Sequence, residues 1–597
     1  MRISRLAFGL GAVTLAGLAH AADPAPVAAH GGIVVSAQRL ASEVGANILR
    51  HGGNAVDAAV AVGYALAVTY PEAGNLGGGG FMTLRLADGR TSFIDFREKA
   101  PLSATAGMFQ DAGGRVIPGK STGGWSSVAV PGSPAGLDYA RLHYGTMERA
   151  ALIAPAIALA RDGFVLAQGD AGIFQVATPE LRPDPAAAAI FLHDGQPLQP
   201  GDRLVQPDLA HTLERLSADG PDAFYRGEIG RAVVAASQAG GGRLTMADLA
   251  AYKVREMAPV ACDYRGFRII SAPPPSSGGV VLCEILQILS GYDLHALGFH
   301  SAAEVHLLTE AMRHAFIDRN NRLGDPDFLR NPVAELISPA HAAAIRAGID
   351  PLLATPTKDV PVPQPEGTQT TQYCVVDAAG NAVSVTYTLN NWFGAGLVAG
   401  RTGIVMNDEM DDFTSKVGVA NMFGLVQGTA NAIAPGKTPL SSMTPTIITK
   451  DGKLVMVVGS PGGSRIISIT LEAIVNVIDH AMTVQEAIDA PRIHEQGTPD
   501  TVFLERGALS PDTRALLAAR GYTFKDAGYW GVAEAILVGG PSLVGKPGAG
   551  RQGFGEDGFL PLNARPEAGA HLFGAHDVRG GAGAAVAADP PGVVPPR

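Results

Sequence analysis

Across 597 residues the chain has only three cysteines and three tryptophans, and no surplus of positive charge: 45 Lys and Arg stand against 56 Asp and Glu, a formal net charge of −11. Cys262, Cys283 and Cys374 are too few for the disulfide framework of a small secreted scaffold. They read as buried free thiols, with one Cys262–Cys283 bridge as the alternative. The acidic balance leaves no basic footprint for nucleic acid. Long apolar runs are also missing, since Leu6 to Leu18 and Ala55 to Tyr70 both fall short of the roughly 20 residues that cross a bilayer. The first run follows Arg2 and Arg5 and precedes Ala19-His20-Ala21, so residues 1–21 read as an export leader. The mature protein is then periplasmic or secreted, with no membrane anchor after the leader is removed. The second run contains Asp57 and reads as a buried helix. Charged residues are 17%, against about 25% in ordinary domains, and 46% are hydrophobic, which describes a packed globular chain. Length alone suggests roughly three to five domains.

Early in the chain, helical spacing over Ser42 to Arg50 and Ala55 to Tyr70 alternates with strand patterns at Phe81 to Arg85 and Thr91 to Phe96. The glycine-rich run between them, Gly74 to Gly80, lacks the Lys-Ser/Thr of a phosphate loop and reads as close backbone packing. From about 150 to 350 the pattern is mostly helical. His306, Glu310 and His314 share one helix face there and could in principle meet a metal, but no further His or Cys cluster accompanies them, and no metal is assigned. Pro351 to Gly367 reads as an exposed, cleavable loop. Strand, turn and strand follow over Tyr373 to Leu389, a hairpin turns at Asp451-Gly452, and Ile466 to Ala481 reads as a buried helix. Pro541 to Pro561 looks inserted, and Gly580 to Arg597, rich in Ala, Gly and Pro without aromatics, reads as a disordered tail.

Just before that first hairpin stands Gln369-Thr370-Thr371-Gln372-Tyr373. Cutting the chain before Thr370 would give one residue both a hydroxyl nucleophile and a free α-amine to act as its base. A Thr-Thr pair is common, so the weight falls on the segments around it. These are Thr388 and Asn390, Asn407 to Phe413, Pro439 to Pro445 and Gly459 to Arg465, together with Gly52 to Ala59, Asn75 to Phe81 and Phe96-Arg97-Glu98.

Together they resemble the γ-glutamyltransferases, or glutathione hydrolases, of the N-terminal nucleophile superfamily, over about residues 34–540. The resemblance implies an α+β fold, a four-layer αββα sandwich built from two fragments of one precursor. The large fragment is 22–369 and the small one 370–597, associated as a heterodimer. It implies self-cleavage at Gln369-Thr370, with Thr370 as nucleophile, Thr388 supporting it, and Gly462 and Gly463 supplying the oxyanion hole. Arg97, Ser441 and Ser442 would hold the α-carboxylate of a γ-glutamyl group, and Asn390, Glu409 and Asp412 its ammonium. Glutathione and related γ-glutamyl compounds are the implied donors, and water, amino acids or dipeptides the acceptors. No cofactor is implied. Four departures from the family pattern stand out: Gln372 in place of histidine, Cys374 in place of serine, Phe423 where a lid loop over 417–428 usually has tyrosine, and Asp577-Val578-Arg579 for Asp-Pro-Arg. Two alternatives stay open: a related acylase acting on glutaryl or cephalosporin side chains, and an unprocessed protein that only binds γ-glutamyl peptides.

Overall fold

The computed structural model describes residues 25–357, 369–543 and 572–589. The leader and most of the expected insertion lie outside them. Two antiparallel sheets of seven strands dominate. Counting only their strands, the order in the chain is β1 Val27–Ala29, β2 Gly32–Ser36, β3 Gly79–Arg85, β4 Thr91–Phe96, β5 Arg255–Met257, β6 Val260–Tyr264 and β7 Phe267–Ser271. After residue 369 come β8 Thr371–Asp377, β9 Ala382–Thr388, β10 Thr446–Lys450, β11 Lys453–Gly459, β12 Glu534–Val538, β13 Leu572–His576 and β14 Ala584–Ala587. One sheet runs β14-β2-β8-β9-β3-β4-β5, the other β1-β13-β12-β11-β10-β7-β6.

Period-two alternation along the strands makes the layers. On β8, Tyr373 and Val375 join the core beneath two helices, α1 Arg39–Arg50 and α2 Ala55–Thr69, whereas Cys374 and Val376 join a separate core between the sheets. On β11, Val457 enters that same inter-sheet core, while Met456 and Val458 pack beneath α3 Gly278–Leu289, α4 Ala302–Arg322, α5 Pro339–Gly348 and α6 Ile466–Ile478. Three stacked cores separate four layers, the αββα sandwich that the family resemblance implied.

Both sheets mix strands from before and after residue 369. β8 lies between β2 and β9, pairing Tyr373 with Ser36 on one side and Val385 on the other. Several independent domains, as length suggested, are therefore replaced by a single sandwich. Neither stretch of chain can cover its own strand edges without the other.

Every residue of α2 is buried. Asn54 caps it, accepting from the Val56 and Asp57 N–H groups, while the Asp57 carboxylate accepts the Asn54 N–H at 2.9 Å. The glycine-rich run passes where no side chain fits: a Cβ on Gly77 would lie 2.1 Å from the Val405 carbonyl oxygen, and one on Gly78 2.0 Å from that of Thr388. Close packing is thus its role.

Two expectations are corrected. Cys262 on β6 and Cys283 on α3 form a disulfide, because helix and strand pack face to face and bring their Cα atoms to 5.8 Å; Cys374 alone is a free buried thiol. The tail read as disordered contains β14, which pairs with β2 from Ile33↔Ala587 to Ser36↔Ala584. Edge pairing supplies the backbone hydrogen bonds that composition could not announce. Residues 590–597 lie outside the described part. The Asp577-Val578-Arg579 turn is anchored as well: Asp577 accepts from Arg492 and Arg579, and the Val578 N–H donates to Asp489 at 3.1 Å, a bond proline could not make.

Candidate active site

Thr370 sits immediately before β8, and its hydroxyl lies 2.9 Å from that of Thr388 at the end of β9. The Asn390 N–H donates to the Thr388 hydroxyl at 2.8 Å, fixing its orientation. Thr370 has φ = +83°, a conformation rare for any β-branched residue and worth roughly 1–3 kcal/mol of local strain. The Gln369 carbonyl, which forms the peptide bond to Thr370, accepts the Gly462 N–H at 3.0 Å. Gly462 and Gly463 have φ of +132° and +58°, in a turn that leads directly into α6, so their N–H groups stand at the electropositive end of that helix.

Below Thr370, the same face of the hairpin carries a polar ladder. Thr386 donates to the Gln372 side-chain oxygen at 2.6 Å, the Gln372 amide donates to Ser384 at 2.9 Å, and the Cys374 thiol donates to the Glu534 carbonyl at 3.3 Å. Gln372 and Cys374 thus lie on the Thr370 face, as extended geometry required, and their polar atoms are satisfied.

The charged end is built on a different plan. Arg97 is 1% exposed and touches three carboxylates: Glu409 at 2.5 Å, Glu98 at 3.6 Å, and Asp412. Burial works against its charge, but the carboxylates outweigh that and keep it protonated. Burial likewise raises Glu409 and Asp412 against the pull of Arg97, and lifts Glu98 to about 7. A second buried cation, Arg319 on α4, donates to the Ser442 hydroxyl and the Ser277 hydroxyl, each at 2.9 Å; burial lowers its pKa to about 10. Ser441 is positioned through its backbone, its N–H bonded to the Pro275 carbonyl and its own carbonyl to Ser277.

One small cavity of about 20 Å³ joins the two ends. Arg97, Thr370, Thr388, Asn390, Glu409, Asp412, Ser441, Ser442 and Gly463 line it, and Gly462 adjoins through the Gln369 carbonyl. All ten candidate residues therefore meet. The 417–428 segment closes over them. Its Met422 N–H is held by Asp411 at 2.9 Å, and its Phe423 carbonyl by Gln496 at 3.2 Å; the Phe423 ring fills the space a Cβ on Gly463 would need. Backbone bonds make this closure, so the absent tyrosine hydroxyl does not prevent it.

Sequence reading missed Arg319 and the amides of Gln427 and Asn431, which donate to the Asp412 carbonyl. Arg319 lies in a polar stretch of helix that reads as solvent-facing. Conversely, of the metal-capable trio His306, Glu310 and His314, the first two are both engaged by the Tyr522 hydroxyl, at 2.7 and 2.8 Å.

Comparison with known proteins identifies the family. Residues 41–554 match the gamma-glutamyltranspeptidase family model. A glutathione hydrolase proenzyme of Pseudomonas sp. (strain A14) is 59% identical, over 88% of this chain and 92% of that one. The Escherichia coli (strain K12) glutathione hydrolase proenzyme is 48% identical, over 86% and 89%. Among solved structures, a cephalosporin acylase from Bacillus halodurans superposes with a TM-score of 0.80 at 25% identity, covering 96% of this chain and 98% of that one. With a family model spanning most of its length and identities this high across nearly all of it, the chain belongs to the γ-glutamyltranspeptidase family of enzymes.

Proposed function

We propose that this enzyme is a γ-glutamyltransferase and glutathione hydrolase that cuts its own Gln369–Thr370 bond and then carries γ-glutamyl groups on Thr370. The carrying observation is the geometry at that bond: hydroxyl against hydroxyl at 2.9 Å, the Gln369 carbonyl on the Gly462 N–H, and a strained φ at the residue to be released. Thr370 Oγ1 adds to the Gln369 carbonyl carbon while Gly462 steadies the developing oxyanion. The C–N bond breaks, its nitrogen takes the hydroxyl proton, and an ester joins the two parts. Water hydrolyses the ester to a Gln369 carboxylate and restores the hydroxyl.

The freed α-amine, with an ordinary pKa of roughly 7.7–8.0, then serves as base for its own hydroxyl. Attack on a γ-glutamyl carbonyl gives a Thr370 ester and releases the donor's amine, Cys-Gly when the donor is glutathione, with the proton taken from Thr370. Gly462 and Gly463 face the tetrahedral oxygen. Water, or the amine of an amino acid or dipeptide, takes the acyl group in the second half. Recognition proceeds by exchange. The donor's α-carboxylate replaces the internal carboxylates on Arg97 as a two-point partner, with Ser441 and Ser442 as further donors. Its ammonium takes the Asp412 and Glu409 so released, along with Asn390. The two fragments stay together as a heterodimer. The leader and the Cys262–Cys283 disulfide support an exported, periplasmic or secreted enzyme.

The likeness to a cephalosporin acylase favours a second reading, hydrolysis of glutaryl side chains, which have the carboxylate but no ammonium. Intact mass and N-terminal sequencing should give two fragments, the second starting at Thr370, and a γ-glutamyl anilide should be hydrolysed at least tenfold faster than its glutaryl analogue. Equal rates would move the assignment to the acylase, and turnover by an uncut chain would remove the mechanism.

A further inference from the structure

Away from the pocket, three helices bring a separate group of side chains together. Glu284 of α3, Asp318 of α4 and His341 of α5 present ligand atoms that all lie within 4.8 Å of one another. His341 Nε2 is 3.0 Å from Asp318 Oδ2 and 3.2 Å from Glu284 Oε1. A ring nitrogen carries at most one proton, so it cannot donate fully to both carboxylates. Glu284 is 0% exposed and its second oxygen has no hydrogen-bond partner. A carboxylate in that state is costly unless a cation is near.

The spacing suits a metal. With bonds of about 2.0–2.2 Å to nitrogen and oxygen, neighbouring ligands of a tetrahedral or octahedral ion stand roughly 3.0–3.5 Å apart, the range in which both measured separations fall. Asp318 and His341 are 20% and 18% exposed, which leaves an aqueous approach for the ion and its remaining water ligands. The only guanidinium bonded to this cluster among the described residues is Arg322, which meets the far oxygen of Asp318 at 3.3 Å and is itself neutralised by Glu335 at 2.7 Å. His314 stands one turn before Asp318 on the same face of α4, with a buried and unpartnered Nε2.

We propose that Glu284, Asp318 and His341 form a binding site for one divalent cation of the zinc type, tying α3, α4 and α5 together. An imidazole in the set selects against Ca²⁺ and Mg²⁺, which prefer all-oxygen ligands. Asp318 immediately precedes Arg319, whose guanidinium holds Ser442 at the edge of the cavity. A cation at Asp318 fixes the turn from which that guanidinium reaches out.

The test uses the full-length protein, untagged and stripped with chelator. On titration with Zn²⁺ it should retain one ion per chain after dialysis, with the thermal midpoint raised by about 5 °C or more. Glu284→Gln and His341→Gln, which preserve approximate shape, should each weaken Zn²⁺ binding at least tenfold and remove the rise. X-ray absorption on the wild-type protein needs no variant, and should report one nitrogen and oxygen ligands at about 2.0–2.1 Å. No retained Zn²⁺, a sulfur-containing shell, or undiminished binding by folded variants would overturn the site.

Discussion

The two ends of the cavity solve different problems with different materials. At the nucleophile end every group is neutral: two hydroxyls, a carbonyl and a backbone N–H, positioned by strand ends and by backbone angles that only a rigid surround can impose. At the recognition end two guanidiniums and three carboxylates are buried, each partly discharging the others. The first end is preorganised by the backbone around it. The second is held shut by its own charges, which on the proposed reading a zwitterionic ligand replaces. Chemistry and selectivity can therefore be damaged separately.

The sharpest way to break the neutral end is Thr370→Ala. It should leave one uncut band on a denaturing gel and lower kcat on the order of 10⁶-fold, as loss of a covalent nucleophile does in other hydrolases. Arg97→Lys attacks only the charged end. It keeps the charge but loses the two-point grip, so the protein should still be cut normally while kcat/KM for a γ-glutamyl anilide falls about 10²-fold, read from initial rates. Arg319→Met should raise KM about tenfold with fragments unchanged, since Ser442 loses its donor while the nucleophile keeps its neighbours.

Titration separates the ends as well. Glu98 has a folded pKa of about 7, lifted by burial from an ordinary 4.5. The folded state thus binds its proton more tightly than the unfolded one. That contribution to stability is complete below about 4.5 and is lost as pH rises through 7, amounting to about 1–3 kcal/mol. Other buried carboxyls such as Glu72, Glu495 and Glu534 are raised into the same window, so denaturant titrations between pH 4.5 and 8 should show a shallower slope in Glu98→Gln than in the wild type, whereas Thr388→Ser should keep the wild-type slope. The smallest effect is expected from Phe423→Tyr, a few-fold change in the ratio of transfer to hydrolysis, measured with glycylglycine as acceptor. The fold closes this segment through Asp411 and Gln496 rather than through the ring.

The same division governs what the amino-acid order disclosed. The neutral end is local. Thr370, Thr388 and the Pro461-Gly462-Gly463 turn sit at the ends of strands whose alternation and turn residues are plain, including Asp451-Gly452, both at positive φ as a tight hairpin demands. The charged end is assembled from segments hundreds of residues apart. Arg97 and Asp412 could be named by resemblance, but not their direct contact, and Arg319 gave no signal, because a charged residue inside a polar helical stretch looks the same whether it faces water or a buried serine. Nor could spacing decide that Cys262 and Cys283 are joined, or that Ala584-Ala585-Val586-Ala587 completes a sheet edge. Both depend on partners brought near only by the finished sandwich.

The mixing of early and late strands across residue 369 would make the proposed cleavage a one-way door. An uncut chain that unfolds can return by a first-order route, because β2 and β8 remain tethered. Once cut, the denatured halves are two molecules, and recovery becomes second order, falling with dilution. An enzyme cut there would persist by how slowly it opens, not by how readily it refolds.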